Sequence, residues 1–270
     1  MNVIPRPLIT SLSNPLVKQA RALRQRKARE KSGSFLVEGL HHVGSALEAD
    51  WEIEIVIYAP DLLTGDFSAK LLEDARRMGL TIQPVSAKVM ESLTEKENPQ
   101  GILAVVKQRR TEINDLHGIR TCVALVSPQD PGNVGTILRT MNAVGSDALF
   151  QLDGGVDIYH PSLVRASMGT LFWIPVVQAT FGDFIAWTME QQVFVVGTSS
   201  HAETDYREAQ AYDPPWALVM GSEQKGLSSE QLSSCDKTLA LPMRGVVSSL
   251  NLSVAAGILL YTLTSKDLPH

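Results

Sequence analysis

The second half of the chain alternates short apolar runs with longer segments of mixed polarity. The run TCVALV at 121–126 has the continuous apolar character of a parallel strand that is buried on both faces. Strands that alternate with helices favour a parallel sheet with helices on both faces. Apolar runs predict further strands at 148–152, 174–177, 193–197, 217–220 and 238–241, and the segments between them predict helices at 134–144, 162–169, 181–191, 228–234 and 250–264.

The first hundred residues predict a smaller α/β unit that begins with a basic helix at 14–30. Ser13 or Asn14 can cap this helix, Pro15 suits its first turn, and apolar residues recur at helical spacing while the other face carries the arginines. Strands are predicted at 34–37, 51–58, 81–84 and 101–106, and helices at 39–49, 67–78 and 87–93.

A polar and charged stretch, KQRRTEINDLHG at 107–118, separates the two patterns. The sequence therefore predicts a first domain at residues 1–110, a linker at 111–118 and a second domain at 119–270. A chain of 270 residues is long enough for two hydrophobic cores.

The basic residues of the chain are concentrated near its N-terminus. The net charge is −5, but residues 1–31 hold eight Lys or Arg against one acid, which leaves 16 basic and 28 acidic residues elsewhere. Local positive potential attracts phosphate even on an acidic protein. The basic helix, with Arg21, Arg24 and Arg26, is thus a candidate RNA-binding surface, and a merely solvated helix face is the equally weighted alternative.

Composition excludes several classes of protein. No apolar run is long enough for a membrane span, and the N-terminal segment lacks the hydrophobic region of a signal peptide, so a cytoplasmic location is expected. Cys122 and Cys235 lack metal-ligand spacing and are expected to be reduced structural thiols. His41 and His42 are adjacent and are interpreted as surface or boundary residues. No metal is expected.

The segment LPMRGVVSSLNLSVAAG at 241–257 carries candidate chemistry. Its loop combines Pro242, Met243 and Gly245 with Asn251 at a helix start, and such exposed main-chain groups suit a small polar ligand with an apolar part. Taken alone, an ordinary strand-to-helix connection explains it equally well.

Two further motifs change that balance. Asn133 and Arg139 lie in DPGNVGTILRT, and Gly221, Glu223 and Gly226 lie in LVMGSEQKGLS. With the third segment, in this order and at these separations, they resemble the SpoU (TrmH) family of RNA ribose 2′-O-methyltransferases in the SPOUT superfamily. The resemblance extends to DGGVDIYHPSLVRASMGTLFWIP at 153–175 and, nearer the N-terminus, to ITSLSNPLVKQARALRQRK, FLVEG and ENPQGILAVV.

The resemblance implies a fold and a cofactor. The second domain would be a SPOUT methyltransferase domain with a deep trefoil knot, preceded by a small α/β RNA-binding domain. The knot would bring three distant loops together around S-adenosylmethionine. The residues expected to bind this cofactor are Thr198, Gly221, Gly226, Leu241, Met243, Ser249 and Leu250.

The resemblance also implies the reaction, in which a ribose 2′-hydroxyl attacks the sulfonium methyl group. Arg139 occupies the family's catalytic position, but a guanidinium with a pKa above about 12 is a poor general base. We therefore expect Arg139 to bind the adjacent phosphate and to stabilise the developing alkoxide, with the proton passing to phosphate, water or a neighbouring group. Asn133, Glu223 and Asn251 would position Arg139 or the ribose, although each could be a local hydrogen-bonding residue.

Substrate and assembly follow from the resemblance alone. Ribosomal RNA is favoured over transfer RNA, Arg165 is a candidate phosphate ligand or a surface arginine, and family members act as homodimers through the knotted domain. Whether methylation is housekeeping or confers antibiotic resistance stays open. A non-catalytic RNA-binding assembly factor would predict loss of Arg139 or Asn251, and both are present. A Rossmann oxidoreductase would need a GxGxxG turn, which SPQDPGNVG lacks.

Overall fold

The computed structural model of the chain describes residues 6–94, 99–209 and 212–264. The parts of the predicted domains at 1–5, 95–98, 210–211 and 265–270, which include the first two residues of ENPQGILAVV, lie outside the described residues. Two separately packed units divide the chain: Met1–Arg109 with Tyr159–Phe172, and Arg110–Ile158 with Trp173–His270. The segment Tyr159–Phe172 thus differs from the sequence-based division, which placed it in the second domain. No helix among the described ranges is long and apolar enough to cross a membrane.

The first unit contains a mixed four-stranded sheet in the order β1-β4-β2-β3. Strand β4 is antiparallel to β1 and β2, and β3 is parallel to β2. The strands are β1 (Ser34–Glu38), β2 (Ile53–Tyr58), β3 (Ile82–Pro84) and β4 (Ile102–Lys107), and the helices are α1 (Pro15–Ala22), α2 (Arg26–Ser32), α3 (Leu40–Glu48), α4 (Asp66–Arg77) and α5 (Ala87–Leu93). A further short helix, α7 (Pro161–Ala166), comes from the later segment.

The predicted basic helix at 14–30 is wrong as a single element. Asn14 caps α1 and Pro15 begins it, as expected, but the chain turns after α1 and restarts as α2. Arg29 lies at this break, where it is 1% exposed and donates from Nη1 to the carbonyls of Leu23 and Arg24 at 2.7 Å each. A buried guanidinium that satisfies carbonyls beyond a helix end stabilises the break.

The second unit is organised around a seven-stranded sheet in the order β7-β6-β5-β10-β8-β11-β9. Every pairing in it is parallel, as the apolar runs predicted. Its strands are β5 (Thr121–Val126), β6 (Ala148–Leu152), β7 (Val176–Ala179), β8 (Phe194–Thr198), β9 (Thr204–Asp205), β10 (Trp216–Met220) and β11 (Lys237–Ala240), and its helices are α6 (Pro131–Val144), α8 (Phe181–Glu190), α9 (Ser229–Ser233) and α10 (Leu252–Leu263). The sequence missed only the two-residue strand β9, whose hydrophobic signal is negligible.

Two helices of the second unit position the motif residues. Helix α6 begins at Pro131 with Asp130 as its N-cap, so Asn133 lies inside the first turn. Gly145 follows the last residue of α6 in the left-handed conformation at φ +76° and ends the helix. Helix α10 begins after its N-cap Asn251 and packs against α6. The first and third motifs therefore lie on two helices in contact.

Candidate active site

Three loops that are distant in sequence surround one cavity of about 350 Å³ in the second unit. They follow β8, β10 and β11, three neighbouring strands of the parallel sheet. In a parallel sheet the carboxyl ends of neighbouring strands share one edge, which is where ligands bind in open α/β folds. A volume of this size falls within the ~300–1,000 Å³ of small-molecule sites.

All the residues predicted to bind a cofactor line this cavity: Thr198, Gly221, Gly226, Leu241, Met243, Ser249 and Leu250. Further apolar lining residues were not predicted from the sequence: Met220, Leu239, Leu252, Ala255 and Leu259. These side chains come from the ends of β10 and β11 and from the first turns of α10. Their strand and helix patterns mark them as core, and nothing in the sequence separates a core leucine from one that also faces a ligand.

The loop after β10 is a tight turn that only glycine permits at Gly221. A Cβ atom on Gly221 would lie 2.0 Å from the carbonyl carbon of Gly226 and 2.3 Å from the amide nitrogen of Leu227. The amide of Gly226 donates to the carbonyl of Ser222 at 2.9 Å, and Gly226 has φ +64°. The two glycines thus close the turn on itself, so their first role is conformational.

A chain of side-chain hydrogen bonds joins the three motifs. Asn133 Nδ2 donates to Glu223 Oε1 at 3.1 Å, and Asn251 Nδ2 donates to Asn133 Oδ1 at 2.8 Å. Glu223 also accepts from the amides of Gln129 at 3.1 Å and Asp130 at 3.3 Å. Three of the four residues predicted to be catalytic are therefore in one network, and its bonds hold loops in place.

The fourth residue, Arg139, is not in that network. It lies six residues after Asn133 on α6, a rise of about 9 Å at 1.5 Å per residue. Its side chain is exposed, and among the described residues it has no hydrogen bond or ion pair. Neither Glu223 nor Asn251 bonds to Arg139, so the expectation that they hold it directly has no support in these contacts.

The candidate RNA-binding arginines fall into two groups. Arg21 Nη2 donates to Ser92 Oγ at 2.9 Å and Arg24 Nη2 donates to the carbonyl of Thr94, so both are half-buried against α5 and are not on a freely solvated face. Arg26 is exposed and pairs with Glu30 at 2.7 Å. Arg165, on α7, lines a small cavity of the first unit together with Arg24.

The two thiols are unsuited to nucleophilic chemistry. Burial raises the pKa of Cys122, and burial, with a smaller contribution from Asp236, raises the pKa of Cys235 to about 11. Both are free, as the sequence predicted. Cys235 has a packing role, since its Sγ would lie 2.6 Å from a Cβ atom on Gly197 in β8.

Comparisons with known proteins match both parts of the chain. The family model described as SpoU rRNA Methylase matches residues 120–261, and a model described as MRM3-like substrate binding domain matches residues 14–104. The chain is 32% identical over 256 residues to the 23S rRNA (guanosine(2553)-2′-O)-methyltransferase RlmP of Bacillus subtilis, covering 94% of this chain and 98% of that protein.

Structural similarity is equally extensive. The crystal structure of AdoMet-bound rRNA methyltransferase from Sinorhizobium meliloti has a TM-score of 0.88 at 35% identity, over 97% of this chain and 99% of that one. The SpoU methyltransferase AviRb from Streptomyces viridochromogenes, solved in complex with the cofactor AdoMet, has a TM-score of 0.82 at 27% identity, over 94% and 98% of the two chains. The resemblance and the methyltransferase class predicted from the motifs are thereby confirmed: this chain belongs to the SpoU rRNA methylase family.

Proposed function

We propose that this enzyme methylates a ribose 2′-hydroxyl in ribosomal RNA and uses S-adenosylmethionine as the methyl donor. The observation that carries the proposal is the single cavity in which all the predicted cofactor residues meet, joined by hydrogen bonds to the motif that bears Arg139. The relatives RlmP and AviRb support the substrate and the cofactor respectively. A transfer RNA substrate is the alternative within the same chemistry.

The cavity suits S-adenosylmethionine. Main-chain groups at Gly221, Leu241 and Leu250 can hold the polar edge of an adenine, and the apolar side chains of Leu239 and Leu259 can contact its faces. The turn at Gly221, closed to any side chain, lets the backbone approach a ligand. Bound in this way, the cofactor supplies a methyl group activated by a sulfonium.

The chain's own residues then align the substrate and stabilise the charge that develops during the reaction. The exposed guanidinium of Arg139 is available to bind the phosphate next to the target ribose and to stabilise the alkoxide that develops on its 2′-oxygen. Asn133, Glu223 and Asn251 act through the loops that they join, and a Glu223 carboxylate already accepting main-chain amides is an organising group, not a base.

Arg139→Ala tests the mechanism. We expect loss of methyl transfer to 23S ribosomal RNA, followed with a tritiated methyl group, while S-adenosylmethionine affinity measured by calorimetry stays within about twofold. Retained turnover would remove Arg139 from the chemistry. Mapping ribose methylation in RNA from cells with and without the protein identifies the target, and a new mark on transfer RNA alone would favour the alternative substrate.

Homodimerisation, the trefoil knot and a cytoplasmic location belong to the same proposal. The support for a dimer is the outer face of α10, where Val254 and Tyr261 are each 51% exposed on a helix without a charged residue. We expect light scattering to give twice the chain mass for the wild type and the monomer mass for Val254→Asp. A wild-type monomer would contradict the dimer.

We propose that residues 1–110 form the RNA-binding domain and that residues 119–270 form the methyltransferase domain, with a linker at 111–118 between them. Arg21, Arg24, Arg26 and Arg165 are the proposed RNA contacts. Reversing the charge of the first three should weaken RNA binding most at low salt, and unchanged affinity would confine recognition to the second domain.

A further inference from the structure

The segment Tyr159–Phe172 is fixed to residues of the first unit at both ends. The hydroxyl of Tyr159 accepts a hydrogen bond from the amide of Arg109 at 2.9 Å, and the indole Nε1 of Trp51 donates to the carbonyl of Phe172 at 2.9 Å. Phe35, 0% exposed, lies against the ring of Tyr159 with centroids 4.5 Å apart. This segment lies inside the range that matches the methylase family model, yet its packing belongs to the unit that matches the substrate-binding model.

Two histidines of α3 hold the middle of the segment, around Arg165. His42 Nε2 lies 3.2 Å from the carbonyl oxygen of Arg165, and His41 Nε2 lies 3.0 Å from that of Met168. Because a carbonyl can only accept, each Nε2 carries a proton and donates. His42 is buried at 8% exposure. The close fit of Gly169, whose Cβ would lie 2.5 Å from Ser45 Oγ, fixes the same stretch against α3.

We infer that His42, assisted by His41, is a positioning residue for Arg165, and that Arg165 and Arg24 together form one site for the RNA backbone. This inference rests on the proposed function. Both guanidiniums line one cavity of the first unit. A guanidinium has five N–H donors in a rigid fork, so each can keep its internal hydrogen bonds and still meet a phosphate.

The geometry explains what the His42 hydrogen bond contributes. The carbonyl of Arg165 already accepts from the amide of Met168 at 3.2 Å, and the bond from His42 adds a second restraint on the last turn of α7, a helix of only six residues. The restraint pre-orders the arginine and so lowers the entropy lost when RNA binds. Glu38 lines the same cavity and contributes negative charge there, so its carboxylate competes with a phosphate for the two arginines.

The test compares binding of in vitro transcribed 23S ribosomal RNA across potassium chloride concentrations for Arg165→Ala, His42→Leu, His42→Gln and the double variant Arg165→Ala with His42→Leu. We expect Arg165→Ala to weaken binding about tenfold and to reduce the salt slope by about 1, as for one lost phosphate contact. His42→Leu should give most of that loss, the double variant no further loss, and His42→Gln recovery, since its amide can donate to the same carbonyl.

Controls separate positioning from a general loss of structure. Arg76→Ala removes an exposed arginine of α4 in the same unit and should leave affinity and slope unchanged. If His42→Leu does not fold, His42→Asn, whose shorter side chain does not reach the carbonyl, takes its place. Losses that multiply in the double variant, or an unchanged salt slope in His42→Leu, would overturn the inference.

Methyl transfer to ribose is measured in the same samples and tests the proposed function separately. If Arg165→Ala binds RNA with full affinity, the proposed phosphate site is refuted, and so is the positioning role of His42. Continued methyl transfer to ribose in that case would leave the proposed function intact. Absence of ribose methylation by the wild-type protein on any ribosomal RNA would instead remove the proposed function, whatever the binding results.

Discussion

Gly221→Ala tests whether the turn after β10 is what shapes the cofactor cavity. The added Cβ would lie 2.0 Å from the carbonyl carbon of Gly226, where real contacts are at least 3.0 Å, so the backbone on one side must move by 3.0 − 2.0 = 1.0 Å or more. The atoms in the way are backbone, not the end of a flexible side chain. Such overpacking costs about 3 kcal/mol, the upper part of the usual range.

This loss of stability should be visible in two measurements, the melting temperature and the affinity for S-adenosylmethionine. For a unit of this size 1 kcal/mol corresponds to about 2–4 °C, so we expect the melting temperature to fall by about 6–12 °C. Because Gly221 lines the cavity, displacement of its main chain should also weaken S-adenosylmethionine binding at least tenfold by calorimetry. Tenfold corresponds to about 1.4 kcal/mol, well inside the cost of the displacement.

Gly145→Ala is the matched control. Gly145 also lies in the second unit, at the end of α6, with φ +76° and no atom within 4 Å of its would-be Cβ. Its replacement should therefore lower the free energy of unfolding only by the strain of a left-handed alanine, about 1–2 kcal/mol. Cofactor affinity should be unchanged. If Gly221→Ala loses no more stability than Gly145→Ala and binds the cofactor normally, the close approach at Gly221 does not shape the site.

Three further predictions concern other contacts. Glu223→Leu, which leaves two main-chain amides without their acceptor, should lower both the melting temperature and cofactor affinity, with Glu223→Gln intermediate; wild-type values for Glu223→Leu would contradict this. The thiol of Cys235, with its pKa raised to about 11, should react with iodoacetamide at pH 8 about two orders of magnitude more slowly than a free thiol; equal rates would refute it. Hydrogen bonds from Arg207 lower the pKa of Asp205 to about 2, so their stabilisation is present above the unfolded pKa near 3.8 and is lost as pH falls through about 2. Arg207→Ala should return that pKa towards 3.8 in a carboxyl NMR titration, and an unchanged value would exclude Arg207 as the cause.

Local patterns were enough to predict most of the sheet, whereas the residues of the cavity were predicted from the resemblance to the SpoU family. Apolar runs identify six of the seven parallel strands, because a strand buried on both faces needs no partner to be recognised. Glycine, proline and cap residues mark loops at strand ends, but the expectation that three of these loops meet around one ligand came from the family resemblance. What the patterns cannot express is an interaction that depends on a partner far along the chain.

Arg29 and the segment Tyr159–Phe172 illustrate that limit. A basic residue in a basic helix is expected to face solvent, whereas Arg29 is buried because it satisfies carbonyls that the chain exposes where it turns. The segment holding Arg165 is enclosed by methyltransferase motifs in sequence, but its histidine and tryptophan partners lie more than a hundred residues earlier. Sequence spacing carries no information about such pairs.

The polar contacts also separate the four residues predicted to be catalytic into two kinds. Asn133 uses its amide group to donate to Glu223 and its carbonyl oxygen to accept from Asn251, while Asn251 uses its own oxygen to cap α10. Glu223 is likewise occupied by main-chain amides. Among the described residues of this set, Arg139 alone has no internal partner for its charge. Groups that are already paired would have to give up hydrogen bonds that hold the loops before they could contact the substrate. The network therefore keeps the loops aligned, and Arg139 is left as the group that can interact with charge on the RNA.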